Sequence, residues 1–435
     1  MRNWAQSGQL RAIRHPINGF RLFDPSDVQA LLNSLNPQKE QLPLFFESAP
    51  SHFSLKPHEG QEDRDLLWLT SKTQSNFRDR DKYPSISVGD AFCGGGIFSL
   101  GISEALLSNG LNPRHLFGMD FDSSAISCFQ ENFPDAIAYN SDINTLIDGV
   151  LGQKSTEHEK KFSKAITSQL DILVGGPPCQ GHSDLNNHTR RNDPKNSLIL
   201  KMARLAEITR PSLILIENVP GVTRDKTNAL QMCIEGLERL GYGVTMSTID
   251  LSKYGLPQRR KRFILVGVLN SICNIEKLLS NYARSERPLS WAIKDLTDCY
   301  DPSDTFNSSA QHSKTNTERI NYLFENRVYD LPDALRPPCH RDKDHSYKSV
   351  YGRMRWDSPS PTITGGFGST GQGRFVHPIY PRTLTPHEAA RLQFIPDFYR
   401  FPKKIGRRDL QQIIGNAAPP LLSRIILSGI LKKEG

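Results

Sequence analysis

From residue 86 to about residue 268 the apolar positions come in short runs, each followed within two residues by glycine or an acid. The runs cover 86–88, 115–119, 136–140, 172–174, 213–216 and 263–266. Runs this short, with such punctuation, predict buried strands. The intervals between them leave room for helices, one starting near Ile97 directly after Gly94, Gly95 and Gly96. Strands alternating with helices predict an α/β fold with a doubly wound sheet. Such sheets bind ligands at the carboxyl ends of their strands.

Outside that stretch the rhythm changes. Residues 1–35 hold a pattern of their own: Ile13-Arg14, then Asn18-Gly19-Phe20-Arg21-Leu22-Phe23, then a helix-like 26–35. Residues 36–85, rich in Pro, Ser, Gln and charge, read as a linker with a loosely docked extension. The segment 86–268 is the expected main domain, within which 152–169 reads as a polar helical insertion. Residues 269–381 show no clear period. Residues 382–435 return to helix, begun at Thr385-Pro386 and again beyond Pro419.

Composition narrows the choices only modestly. Lys and Arg number 54 against 46 Asp and Glu, a formal charge of +8, which suits a polyanionic partner without demanding one. No apolar run approaches the ~20 residues of a membrane span, and the N-terminus has no signal-like apolar core, so no membrane partner is expected. Seven cysteines without a CxxC pair suggest neither a disulfide framework nor a zinc site; no metal is expected, and a reducing cytosol is the natural compartment. Cys339-His340 lacks a second pair of ligands.

The candidate chemistry sits where runs end. The 172–174 run leads into Gly175-Gly176-Pro177-Pro178-Cys179-Gln180. Two prolines fix successive backbone angles, so Cys179 is presented at a defined point on the sheet edge. An isolated cysteine is usually a small buried hydrophobe. A loop this rigid points instead to a nucleophile that must meet its target from one face. Glu217 follows four apolar residues, where an acid is costly to bury unless it is bonded. Arg260 and Arg262 alternate into the 263–266 run and point the same way. Gly94 and Gly96 allow close approach of a ligand at a helix N-terminus. Asp120 ends the second run, where a ribose diol would be gripped, with Phe121 beside it to stack on a base and Asp142 after the third run to accept from an amino group. Both acids have an alternative reading as helix caps. The polar stretch 184–195 fits either a closing loop or ordinary surface.

The Pro177-Pro178-Cys179-Gln180 segment resembles the catalytic loop of the bacterial DNA (cytosine-5)-methyltransferases, and the likeness continues in order along 86–268 and 350–432. The glycine turn resembles their S-adenosylmethionine turn, and Gln258-x-Arg260-x-Arg262 their basic strand motif. Residues 351–366 with 371–374 resemble their target-recognition region. Residues 382–401 resemble the penultimate motif, its usual glycine either replaced at Phe394 or displaced, and 414–420 the last motif. The resemblance implies a Rossmann-like catalytic domain with a smaller target-recognition domain. It implies S-adenosylmethionine as cofactor, with Asp90 near its methionine end, Phe92 against adenine, and Gly94, Gly96, Asp120, Phe121, Asp142, Pro178, Leu198 and Asn416 around it. It also implies that Cys179 adds to C6 of a flipped-out cytosine, with Glu217 at N3 and with Arg260 and Arg262 on the base oxygen and the acid. Gln180, Ser183, Gln258, Thr362 and Thr364 are then the expected DNA contacts. Double-stranded DNA is the implied partner and a cognate restriction endonuclease a further one, for a monomer in the bacterial cytoplasm.

Residues 1–35 resemble the later part of a MerR or excisionase-type winged helix-turn-helix; a short hairpin and helix packed on the main domain fits the same residues. An amino-group methyltransferase would offer Asp/Asn-Pro-Pro-aromatic in place of Pro-Pro-Cys-Gln. A tRNA-methylating relative would share the chemistry, and a noncatalytic DNA-binding protein the scaffold. Substrate choice separates the first from a DNA enzyme, and covalent adduct formation separates the second.

Overall fold

The computed structural model describes residues 12–14, 21–23, 61–73, 83–166, 169–178, 198–224, 227–338, 340–341 and 349–432. Cys179, Gln180, Ser183, the 184–195 loop, the helix-like 26–35 and Cys339 lie outside the described residues. The chain divides into two compact units, 1–47 and 48–435. In the first, strands β1 (Ala12–Arg14) and β2 (Arg21–Phe23) form an antiparallel hairpin, as the sequence pattern there predicts.

The second unit is built on one seven-stranded sheet. Its strands are β3 (Ser85–Ala91), β4 (Asn112–Asp120), β5 (Ile137–Asn140), β6 (Ile172–Gly175), β7 (Leu213–Asn218), β8 (Tyr242–Asp250) and β9 (Lys261–Leu269). They lie in the order β5-β4-β3-β6-β7-β9-β8. Neighbours from β5 to β7 pair parallel, whereas β9 runs antiparallel to both β7 and β8. The chain moves outward from β3 through β4 to β5, then returns to β6 on the other side of β3. That reversal opens a crevice at the carboxyl ends of β3 and β6, the usual ligand position in such a sheet.

Two large hydrophobic cores hold the second unit together. One gathers Phe117, Leu173, Ile214 and Leu265 with Met202, Leu205, Cys233 and Leu237 of the helices Ile199–Thr209 and Ala229–Arg239. The other gathers Ile97 and Leu100 of the helix Ile97–Ser108 with Ile293, Met354, Ile363, Phe367, Phe375, Leu384, Leu392 and Ile414. Because Met354 to Phe375 share that core with residues beyond 382, packing is continuous across the expected domain boundary at 381. A smaller core of Ile320, Leu323, Leu331, Val350, Tyr351 and Val376 serves the rest of the 269–381 region.

Three details depart from the sequence reading. Part of the expected linker is a helix, Gln61–Thr70, with Leu69 fully buried in the second core. Its Asp65 carboxylate pairs with Arg287 at 3.0 Å and Arg424 at 2.7 Å. The polar insertion is anchored too: Glu159, buried, pairs with Arg204 at 2.6 Å, and Arg204 also reaches Glu207. Finally, the helices Arg407–Asn416 and Pro420–Leu431 together form a stretch apolar and long enough to cross a membrane, which the sequence reading did not expect. However, 78% of its apolar window is buried inside the fold, as in the core helices of many folded domains.

Candidate active site

A cavity of about 600 Å³ fills the crevice beyond β3, β6 and β7. One end of it begins at the glycine turn. Phe92, Gly94 and Gly96 all have left-handed backbone, with φ of 61°, 52° and 84°. A side-chain carbon at Gly94 would meet nothing within 4 Å, so the turn faces open space. Gly96 caps the helix Ile97–Ser108 and lies off the cavity; a methyl group there would strike Phe129 and Phe133.

Two acids line this end. Asp120 ends β4 and accepts from the Gly94 amide at 2.9 Å and the Asp122 amide at 3.0 Å. Burial outweighs these bonds and raises its pKa. Asp90, at the end of β3, is 1% exposed and is bonded at 2.6 Å by the Ser99 hydroxyl. Burial pushes its carboxyl up to about 8, opposed by the Ser99 bond and reinforced by Asp120. Phe121 stands beside them 71% exposed, an aromatic ring largely open to solvent. Asn416 lines the same cavity.

The other end is set by the β7–β9 pairing. Its register matches Glu217 with Ile264 and Asn218 with Phe263, which leaves Arg262 just past the paired residues. Arg262 Nε lies 2.7 Å from Glu217 Oε1, each side chain about one-eighth exposed at 12%. Burial raises the Glu217 pKa, partly offset by Arg262 and Arg260. Asn218, which the sequence reading passed over, is buried and donates to the Pro177 carbonyl at 3.2 Å while accepting from the Val219 amide. It ties the Pro177-Pro178 turn to the strand that bears Glu217. The signal was its place directly after Glu217. Arg224 also lines the cavity, exposed and without a hydrogen bond or ion pair among the described residues.

Besides that of Gly96, four expected roles change. Arg260 and Arg262 both line the cavity, but Arg260 is 1% exposed and its guanidinium donates to the carbonyls of Ile363 at 2.7 Å and Ala417 at 2.8 Å. It therefore positions the walls rather than sharing Arg262's contact with the acid. Gln258, an expected DNA contact, is completely buried. It donates to Leu392 and Gln393 and accepts from the Ile363 amide at 2.9 Å, so no polar group of it faces solvent. Asp142 does not line the cavity; it caps the helix Ile143–Leu146 through the Asn144 amide. Leu198 likewise packs against the first hydrophobic core and does not line the cavity, whereas Phe92, which also touches that core, does. Pro178, Thr362 and Thr364 do line the cavity, Thr362 donating to the Arg259 carbonyl at 2.6 Å.

Residues 86–432 match the family described as C-5 cytosine-specific DNA methylase. The chain belongs to the C-5 cytosine-specific DNA methylases. It is 44% identical to the type II methyltransferase M1.BsuMI of Bacillus subtilis, over 83% of this chain and 84% of that one. It is 30% identical to the type II methylase M.HgiDII of Herpetosiphon aurantiacus, over 79% and 94%. Among solved structures, a prophage-encoded DNA modification methyltransferase from E. coli superposes with a TM-score of 0.55 at 24% identity, covering 79% of this chain and 98% of that one. The S. pombe Dnmt2 methyltransferase superposes at 0.54 with 16% identity, covering 79% and 97%. These likenesses confirm the Rossmann-like methyltransferase fold.

Proposed function

We propose that this methylase transfers the methyl group of S-adenosylmethionine to C5 of a cytosine flipped out of double-stranded DNA at a specific sequence, through a Cys179 adduct at C6. The observation that carries the reading is the Glu217–Arg262 pair at 2.7 Å, in the same cavity wall as the Pro177-Pro178 turn. The far end of that cavity fits a nucleoside with a cationic tail: open space over Gly94, the largely open Phe121 ring, and the buried acids Asp90 and Asp120. Asp90, Phe92, Gly94, Asp120, Phe121, Pro178 and Asn416 would hold S-adenosylmethionine, which when bound supplies the methyl group to C5.

The chain's own groups do the rest. The Cys179 thiolate forms a bond to C6, and Glu217, its pKa raised, places a proton on N3 so that the electron pair accumulates at C5. Arg262 donates Nε to Glu217 and Nη1 to the Lys261 carbonyl; among the described residues its Nη2 is unused, which leaves it for the base oxygen O2. Once C5 carries the methyl group, N3 returns its proton to Glu217, and loss of the C5 proton to a base expels the thiolate and restores the ring. A thiol near pKa ~8.5 is mostly protonated at neutral pH, so the loop or the bound DNA must activate Cys179. Flipping the base costs a few kcal/mol. Gln180 and Ser183 would hold a phosphate or fill the vacated stack, and Thr362 and Thr364 would present the wall to DNA. The type II relatives support pairing with a cognate restriction endonuclease, and we place the enzyme as a monomer in the bacterial cytoplasm.

The test is incubation with S-adenosylmethionine and genomic duplex DNA, followed by base-resolution sequencing for 5-methylcytosine. One enriched motif is expected, and Cys179→Ser should lose turnover while keeping DNA binding. Methylation by that variant, or a folded wild type that methylates RNA and not DNA, would overturn the reading.

A further inference from the structure

We propose that Arg355 reads the target sequence, donating two hydrogen bonds to the O6 and N7 edge of a guanine in the major groove. The proposal rests on the duplex-DNA reading above. Its basis is a stack of alternating rings and guanidinium groups in the 269–381 region. Phe324, at the bottom, packs against the small core of Ile320 and Leu323. The Arg353 guanidinium carbon lies 4.1 Å over the Phe324 ring and 5.4 Å from Tyr329, and that of Arg355 lies 4.1 Å over Tyr329.

The inner layers are pinned. Arg353 Nε donates to the Pro378 carbonyl at 2.8 Å. The Tyr329 carbonyl accepts from the Arg353 amide at 2.8 Å and from Arg374 Nη1 at 3.0 Å, and Arg374 is in turn paired with Asp330. Only the outer layer is uncommitted: Arg355 is exposed and has no hydrogen bond or ion pair among the described residues. Nearby, Arg319, Arg374 and Arg382 all donate to carbonyls or carboxylates, and Arg327, exposed and likewise without a side-chain bond among the described residues, has no ring contact there, so the combination of open donors and a ring support belongs to Arg355.

An aromatic face holds a guanidinium through its ring electrons and leaves the N–H donors unused. Arg355 thus offers a planar fork in a set orientation, which a phosphate does not require but a base edge does. The segment is also coupled to the reacting end. It runs from Arg355 through Ser360, which bridges to Gln258, into Thr362 and Thr364 on the cavity wall.

The experiment compares wild type, Arg355→Lys and Arg355→Ala on genomic duplex DNA, with base-resolution sequencing and a melting curve for each protein. Base reading predicts that both variants accept other bases at one position of the motif, with discrimination there falling roughly 5- to 150-fold and other positions unchanged. An unchanged motif in Arg355→Ala would refute it. So would an even loss across all sites, accompanied by a salt dependence shallower by about one unit and rescued by Arg355→Lys, because that marks a phosphate contact. Complete loss in both folded variants also counts against it, since one base contact does not sustain the chemistry. If wild type methylates no DNA, the failure lies with the functional reading itself.

Discussion

The residue with the sharpest physical signature is Asp90. Its carboxyl is pushed up to about 8 from an ordinary 3.8 because it is buried with one hydroxyl partner beside a second acid. The folded state therefore binds a proton that the unfolded chain releases above about pH 4. The stability this contributes is fully present below that value and is lost as pH rises through about 8, with a slope of at most ~1.4 kcal/mol per pH unit. Replacing the acid in Asp90→Asn should flatten the melting temperature of the ligand-free protein over that window. A cationic ligand at this end favours the ionised form, so binding of S-adenosylmethionine near pH 6.5 should release close to one proton. Calorimetry in two buffers of different ionisation enthalpy measures it; equal apparent enthalpies in both would reject the assignment.

At the scale of elements, the penultimate motif shows how a departure from pattern is absorbed. Phe394 holds a left-handed backbone, the region that favours glycine, with φ of 65°. Its ring is wholly buried, stacked 5.7 Å from Trp68 and 6.1 Å from Trp291. The backbone strain costs ~1–2 kcal/mol, whereas emptying such a site costs ~3–5 kcal/mol. Phe394→Gly should therefore destabilise the protein by ~1–4 kcal/mol in urea unfolding, although it relieves that strain; a gain in stability would contradict this packing. Trp68 also shows what the sequence concealed. A helix of polar composition, Gln61–Thr70, gives no amphipathic signal strong enough to predict burial, yet Trp68 and Leu69 belong to the second core. Strand ends were legible because apolar runs stop at Asp90, Asp120 and Glu217. Gln258 and Arg260 were not, because an amide and a guanidinium read as surface until carbonyls of Ile363, Leu392 and Ala417, remote in sequence, are known to receive them. The antiparallel entry of β9 was likewise invisible to periodicity, although it alone brings Arg262 to Glu217.

For the whole molecule, both large cores and the cavity lie within residues 48–435. Deleting residues 1–47 should leave melting and methylation intact, and a fall in DNA affinity alone would assign DNA contact to that unit. Deletion through residue 70 is different: it strands Arg287 and Arg424 without Asp65, and breaking a buried pair costs ~3–5 kcal/mol. That variant should melt about 5 °C lower in a thermal scan, and equal melting of the two truncations would show the helix Gln61–Thr70 to be dispensable. The same cavity takes Asp90 and Gly94 from the first strand-turn of the sheet and Asn416 from a helix made more than three hundred residues later. The adjoining helix Pro420–Leu431 is fastened to the glycine-turn helix through the Ser423 hydroxyl on the Phe98 carbonyl at 2.7 Å. A chain still on the ribosome short of residue 416, or clipped before it, lacks one wall of its ligand site. Synthesis must therefore pass residue 416 before that wall of the cavity exists.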